Sequence, residues 1–373
     1  MKVLIVGGGV SGLALGAFLR KRNIAFDIVE CASADGPRGH LIGLWSNSRQ
    51  IFKQLDLDTQ FDQLGNPLET YVLEDKNSVL LRKYSFLNFK AQYGCALTIF
   101  EREVVHRSLE EKIGTKNVQF EKTFESLEQN EFSVTVTFED GERREYDTVI
   151  GADGSHSRVR KVVFGDRGFY TTPWYSRWMW IENTIIDPSV FIEHVEDNFV
   201  AVMASSKDKS AINYFYTDFT KDNVHKRLSA VLKCHNIVCD TSVIPEHSVN
   251  LVDVSLPQWC KGRVALMGDA AHCMGPYAGL GASMALEDAY VLSNQLALVT
   301  DTVSLSGALE RYEQLRAQRL STMEKATSLM KHVTFVQSKY LRRCVDTVIP
   351  FLPESLFTYN FKRLFDESFP PQN

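Results

Sequence analysis

Val3-Leu4-Ile5-Val6-Gly7-Gly8-Gly9-Val10-Ser11-Gly12 is the stretch that decides the fold. Its first four residues form a short continuous apolar run, the pattern of a strand buried on both faces. A glycine turn follows at once, and Leu13, Ala14, Ala17, Phe18 and Leu19 then recur with helical spacing. Phe26-Asp27-Ile28-Val29 reads as a second strand ending at Glu30. Strand, glycine turn, helix, strand and acid in that order are the context in which GxGxxG signals a dinucleotide site. Gly7 permits the tight turn, Gly9 admits a pyrophosphate to the backbone, and Gly12 lets helix pack on strand. The helix start at Val10 and Ser11 offers free N–H groups and a partial positive charge to phosphates. Glu30 stands where a carboxylate accepts from ribose hydroxyls.

Two later stretches repeat the theme. Val149-Ile150-Gly151-Ala152-Asp153-Gly154-Ser155-His156-Ser157-Arg158 is a strand running into glycines, an acid and a helix. Val264-Ala265-Leu266-Met267-Gly268-Asp269-Ala270-Ala271-His272 is another, followed by Pro276, then Gly279-Leu280-Gly281-Ala282-Ser283, then a helical pattern through Ala285, Asp288 and Leu292. Three strand ends, each with glycine and a carboxylate, converge at one edge of a parallel sheet, where doubly wound folds bind ligands. Between them, Arg102, Val105 and Leu109 fit an amphipathic helix, and Asp140-Gly141 marks a hairpin turn after alternating Val134, Val136 and Phe138.

Composition narrows the function classes. The chain has 373 residues, 44% hydrophobic and 23% charged, which fits a globular protein of two or three structural units. Lys and Arg total 41 against 46 Asp and Glu, a net charge of −5, so the footprint of a nucleic-acid binder is missing. The N-terminal apolar run leads into glycines and Arg20-Lys21-Arg22 rather than a cleavage site, so export is not expected. Seven scattered cysteines without a CxxC fit free thiols in a reducing cytoplasm, and no metal site is expected.

The three motifs together resemble those of the class A flavoprotein monooxygenases, the para-hydroxybenzoate hydroxylase type. Gly7 to Gly12 resembles the family's GxGxxG, Gly151 to Arg160 its GADGxxSxVR, and Gly268 to Gly281 its GDAAHxxxPxxGxG. The resemblance spans residues 1–330. It implies a bound FAD, with Gly7, Gly9, Val10, Ser11, Gly12 and Glu30 at the adenosine end. It also implies Arg102 near the phosphate and ribitol, Asp269 on the ribitol, and Asp153 near both FAD and the nicotinamide donor. Gly268 opens the third motif, Gly279, Leu280, Gly281 and Ala282 face the flavin pyrimidine, and Pro276 lines the site. Two departures from the family stand out. Leu280 and Ser283 replace the common Gln and Asn, and Cys31 replaces an Arg after the ribose acid.

The implied fold is α/β. A Rossmann-like, doubly wound FAD-binding domain (1–70, 97–168 and 255–304) is interleaved with a substrate-binding β-sheet domain (71–96 and 169–254). A C-terminal helical segment (305–373) follows. Phe191 to Val195 and Phe199 to Met203 read as a hairpin around Asp197-Asn198. Trp178, Trp180 and Tyr214 are candidate pocket walls. Trp178-Met179-Trp180-Ile181 is also similar to the WxWxIP of flavin halogenases, without its proline. The tail around Phe357, Tyr359, Phe361 and Phe365 reads as packing on its own protein, with pocket lid and interfacial membrane contact as alternatives.

The implied chemistry is NAD(P)H- and O2-dependent hydroxylation through a flavin C4a-hydroperoxide in a single protein, since no second GxGxxG supplies a nicotinamide domain. The expected substrate is a flat, largely apolar aromatic or polycyclic molecule. Arg177 is the lone arginine in residues 170–220, which disfavours small dicarboxylates. No catalytic base declares itself; His40 and His194 are weak candidates for one, Pro276 is a weak candidate for a catalytic position beside the flavin, and His272 reads as structural. A flavin reductase of isoprenoid double bonds and a non-catalytic FAD protein are the competing classes. A monomer or homodimer is equally compatible with the sequence.

Overall fold

The computed structural model describes residues 1–36, 39–181, 186–217, 221–237, 248–301 and 304–353. The aromatic tail from 354 onward lies outside the described residues, so its three readings stay as stated.

A six-stranded sheet carries the motifs. Its order is Cys260–Lys261, Val264–Leu266, Thr148–Gly151, Lys2–Val6, Ala25–Val29, Val118–Gln119, parallel throughout except for the first pair. The strands bury nearly every residue, as the continuous apolar runs require. Register places Val6 beside Gly151 and Gly151 beside Leu266, so the three glycine motifs leave the sheet at one edge. Helices Val10–Lys21 and Gly281–Ala297 pack against each other over this sheet.

The second large sheet has seven strands in the order Val249–Val254, Phe169–Ile181, Ser210–Tyr216, Phe199–Ser205, Val190–Glu196, Thr70–Glu74, Leu80–Ser85. All neighbours are antiparallel except Val190–Glu196 with Thr70–Glu74. The hairpin around Asp197-Asn198 forms, with Asn198 at φ 61°, a conformation Asn tolerates better than most residues. One face of this sheet is covered by helix Lys221–Cys234, through Val224, Leu228, Val231 and Leu232. The other faces the Pro276–Gly279 loop across a cavity.

A 31-residue helix, Ser304–Thr334, runs back across both units, and Lys339–Val348 follows it before Pro350. Among the described residues, no helix is long and apolar enough to cross a membrane.

Candidate active site

The first glycine turn is shaped by steric necessity. Gly7 has φ +113°, and a Cβ there would sit 2.3 Å from Ala152 O. A Cβ on Gly12 would meet Gly7 O at 2.0 Å. Gly9, by contrast, has nothing within 4 Å of a Cβ position, so its backbone faces open space. It is the N-cap of Val10–Lys21, and no side chain caps that helix. The free N–H groups near Val10 and Ser11 therefore face the opening. Glu30 closes the turn: its Oε2 accepts from Gly8 N–H at 2.7 Å and its Oε1 from Ala32 N–H at 2.8 Å.

The third motif meets the first. Gly268, at φ +57°, leaves space for Ser11, whose Cβ would lie 3.2 Å from a Cβ on the glycine. Asp269 opens onto the cleft. The protein around it raises its carboxyl above the ordinary range, while the charges of His272 and Arg102 pull the other way. Arg102 is likewise open to the cleft, and its backbone N–H donates to His40 O at 2.8 Å. Gly281 stands beside Asp269, with Oδ1 3.7 Å from its Cβ position. Helix Gly281–Ala297 also lacks a side-chain cap, so the N–H groups at Gly281 and Ala282 join Gly279 on the cleft wall.

Leu280 itself is buried, and Ser283 accepts from Trp45 N–H at 3.0 Å and Ser48 Oγ–H at 2.9 Å. The departure at Ser283 thus fastens the loop to the strand Leu41–Trp45 instead of presenting an amide to the cleft.

Asp153 is engaged elsewhere. Its carboxylate accepts from Ser157 Oγ–H, Arg158 N–H at 2.7 Å and Val159 N–H at 3.1 Å, capping helix Arg158–Phe164. Burial raises its pKa and these hydrogen bonds oppose the rise. Arg160 ties the second motif to the third by donating to Ala270 O at 3.0 Å.

These features fit FAD. An uncapped helix start behind a side-chain-free glycine suits the pyrophosphate, Glu30 the ribose, and Asp269 with Arg102 the ribitol and phosphate region. A second uncapped helix start at Gly281 and Ala282 suits the electron-rich edge of the flavin ring.

In front of the Pro276–Gly279 loop lies a cavity of about 200 Å³. Pro276, Tyr277, Ala278 and Gly279 form one wall, and His40, Leu41, Gly43 and Trp45 a second. The seven-stranded sheet supplies Phe191, Glu193, Val202, Asn213 and Phe215, and Met330 of the long helix closes one end.

Strand periodicity sorts the sequence candidates. Glu193 and Asn213 point into the cavity, so their neighbours His194 and Tyr214 point away. His194 is buried beside Glu196, and Tyr214 packs with Phe199 and the helix behind the sheet. Both are corrected: neither reaches the cavity, because each sits one residue out of phase. Trp178 and Trp180 pair with Asn213 and Ala211, which puts them on the cavity face. They stand beside its wall rather than in it, Trp178 making an edge contact with His40 at 4.9 Å. His40 does line the cavity. Its Nδ1 is 2.9 Å from Leu41 O, and burial pushes the imidazole down to about 4, so it is neutral at pH 7 with Nε2 as an acceptor. His272 turns from the site to Asp288, 2.6 Å away.

Sequence reasoning missed Glu193 and Tyr71, whose hydroxyl donates to Glu193 Oε2 inside the cavity wall. A carboxylate in a run of strand formers was the available signal.

A family model described as an FAD binding domain matches residues 1–327. The chain belongs to the class A flavoprotein monooxygenases. It is 26% identical over 339 residues to an FAD-dependent urate hydroxylase of Klebsiella pneumoniae subsp. pneumoniae, covering 86% of this chain and 87% of that one. A 3-amino-4-hydroxybenzoate 2-monooxygenase of Streptomyces platensis is 26% identical over 375 residues, covering 94% and 92%. In fold, the Klebsiella pneumoniae enzyme HpxO complexed with FAD and uric acid superposes with a TM-score of 0.85 at 21% identity, over 98% of this chain and 96% of that one. The tetracycline destructase Tet(51) gives 0.73 at 22% identity, over 100% and 99%. The monooxygenase is therefore an FAD-dependent oxidoreductase of the hydroxylase type, with the fold the motifs implied.

Proposed function

We propose that this monooxygenase uses NAD(P)H and O2 to hydroxylate a flat, one- or two-ring aromatic molecule held in front of the Pro276–Gly279 loop. The observation that carries this reading is that one loop does two things. Its residues wall the aromatic-lined cavity, and the helix it leads into has an uncapped N-terminus beside Asp269, which would suit a flavin ring. A ring in the cavity would lie against the cofactor's reactive edge. Bound FAD supplies hydride acceptance and activation of oxygen. The protein's own part is to orient the ring between Phe191, Phe215 and Tyr277, and to exclude water with these side chains and Met330.

Relatives that act on urate and on an aminohydroxybenzoate support an aromatic substrate. The cavity, about 200 Å³, is smaller than the roughly 300–1,000 Å³ that drug-sized ligands occupy, which favours a small ring system over a polycyclic polyketide.

The test is a screen of one- and two-ring aromatics for stimulated NAD(P)H consumption, followed by product mass. A hit whose product gains one oxygen is the expected result. Stimulation confined to four-ring polyketides would sink the size argument.

A further inference from the structure

Glu193 is 6% exposed, yet it lines the cavity from the strand Val190–Glu196. The walls around it are mainly apolar and aromatic. Among the described residues no lysine or arginine lines the cavity, and the one histidine that does, His40, is neutral at pH 7. A buried carboxyl in such a wall is costly unless something holds it or uses it. Tyr71, on the neighbouring parallel strand Thr70–Glu74, donates to its Oε2 and stacks on Phe191.

We propose that Glu193, positioned by Tyr71, accepts a proton from a ring hydroxyl or ring N–H of the substrate, and that it selects neutral, donor-bearing aromatics over aromatic carboxylates. This rests on the hydroxylase reading and names the substrate class of that same cavity. The substrate's O–H or N–H bond breaks, its electron pair stays on the ring system, and the proton moves to the carboxylate; no oxidant or reductant is needed. The resulting anion is richer in electrons at the ring carbons, which favours attack on an electrophilic oxygen. A carboxylate substrate would instead bring a second negative charge into a cavity that no described lysine or arginine lines.

The groups facing Glu193 set its protonation. Burial pushes its carboxyl up to about 7. The Tyr71 hydroxyl, the Arg342 charge from helix Lys339–Val348 and the Thr334 hydroxyl at the end of the long helix all oppose the rise. Arg342 is itself paired with Asp346 at 2.6 Å, and Tyr84 stands behind Tyr71 with ring centroids 5.8 Å apart. A base poised near the working pH is what proton abstraction requires.

The test titrates the FAD-loaded enzyme with 2-naphthol, indole and 4-quinolone, and with 2-naphthoate, indole-2-carboxylate and quinoline-4-carboxylate, reading the flavin absorbance. Wild type is expected to bind at least one neutral donor about a hundredfold more tightly than its carboxylate partner, the size of a buried like-charge clash. Glu193→Gln should cut that preference by about tenfold or more with FAD retained, and should erase the pH dependence of binding near neutrality. Tyr71→Phe should keep the preference but move the pH midpoint upward, because the carboxylate loses a donor. Carboxylates binding as well as neutral donors, no neutral donor perturbing the flavin, or an unchanged profile in Glu193→Gln would each overturn the proposal. These readouts need no turnover. Binding as expected with no oxygen transferred to any ring would therefore fault the hydroxylase reading alone.

Discussion

Arg316 Nε donates to Asp288 Oδ1 at 2.7 Å, with the two side chains 1% and 0% exposed. Asp288 also accepts from Gly268 N–H at 2.8 Å and pairs with His272, so the long helix grips the third motif through one carboxylate. Glu287 extends the network to Arg316, Arg319 and Asn47. Burial pushes both carboxyls up, but the arginine charges, with His272 at Asp288, more than offset it and hold them below the ordinary range.

Arg316→Met should therefore cost about 3–5 kcal/mol, the loss seen when one partner of a buried pair is removed. Chemical denaturation of the apoprotein measures it. Both carboxyls are depressed in the fold, so their stabilisation is present above the ordinary carboxylate pKa and is lost as pH falls through the folded value. The variant should accordingly lose less stability on acidification than wild type does.

Gly9 and Gly12 separate cofactor binding from folding. A Cβ on Gly9 meets nothing, and its φ of −74° suits any residue, so Gly9→Ala should fold with unchanged apoprotein stability. Its methyl group should still weaken FAD by at least about tenfold, ~1.4 kcal/mol. Gly12→Ala would push a Cβ to 2.0 Å from Gly7 O and should not yield stable protein. Comparing melting curves with and without added FAD decides both.

The two motif acids should part company in the same way. Asp269→Ala should lower FAD affinity with little effect on the apoprotein, because its carboxylate faces the cleft. Asp153→Ala should cost the apoprotein about 1 kcal/mol, the worth of a helix cap. Equal effects of the two variants on FAD affinity at equal stability would count against this division.

Much of the candidate cofactor site was legible because glycines at forced conformations and strand-ending acids follow from the backbone itself. Gly7 cannot be anything else beside Ala152, and that constraint shows in the sequence as a motif. The cavity was not legible. Strand Phe199–Ser205 is buried on both faces, so no polar alternation says which face meets the substrate. His194 and Glu193 are adjacent in sequence, and only the position of helix Lys221–Cys234 decides that His194 goes behind the sheet. Tyr71 reaches Glu193 through a parallel pairing with no local signal at all.

Glu193 carries a pH signature in stability. Its folded pKa of about 7 lies above the unfolded carboxyl value, so its contribution is fully present below the unfolded pKa and is lost as pH rises through about 7. The loss amounts to about 3 kcal/mol at the usual 1.4 kcal/mol per unit. Glu193→Gln, which cannot ionise, should gain on wild type between about pH 5 and pH 8 in thermal melts of the apoprotein. A constant difference across that range would show that Glu193 is not buried as a titrating group.

The most direct measurement supplies the FAD-loaded enzyme with NAD(P)H, a screened one- or two-ring aromatic and isotopically labelled O2, and weighs the product. The predicted result is one labelled oxygen atom on the ring per turnover, with one NAD(P)H consumed. Substrate consumed without any label in the product would contradict oxygen transfer in this cavity, and the flavin would then be acting as a reductant alone.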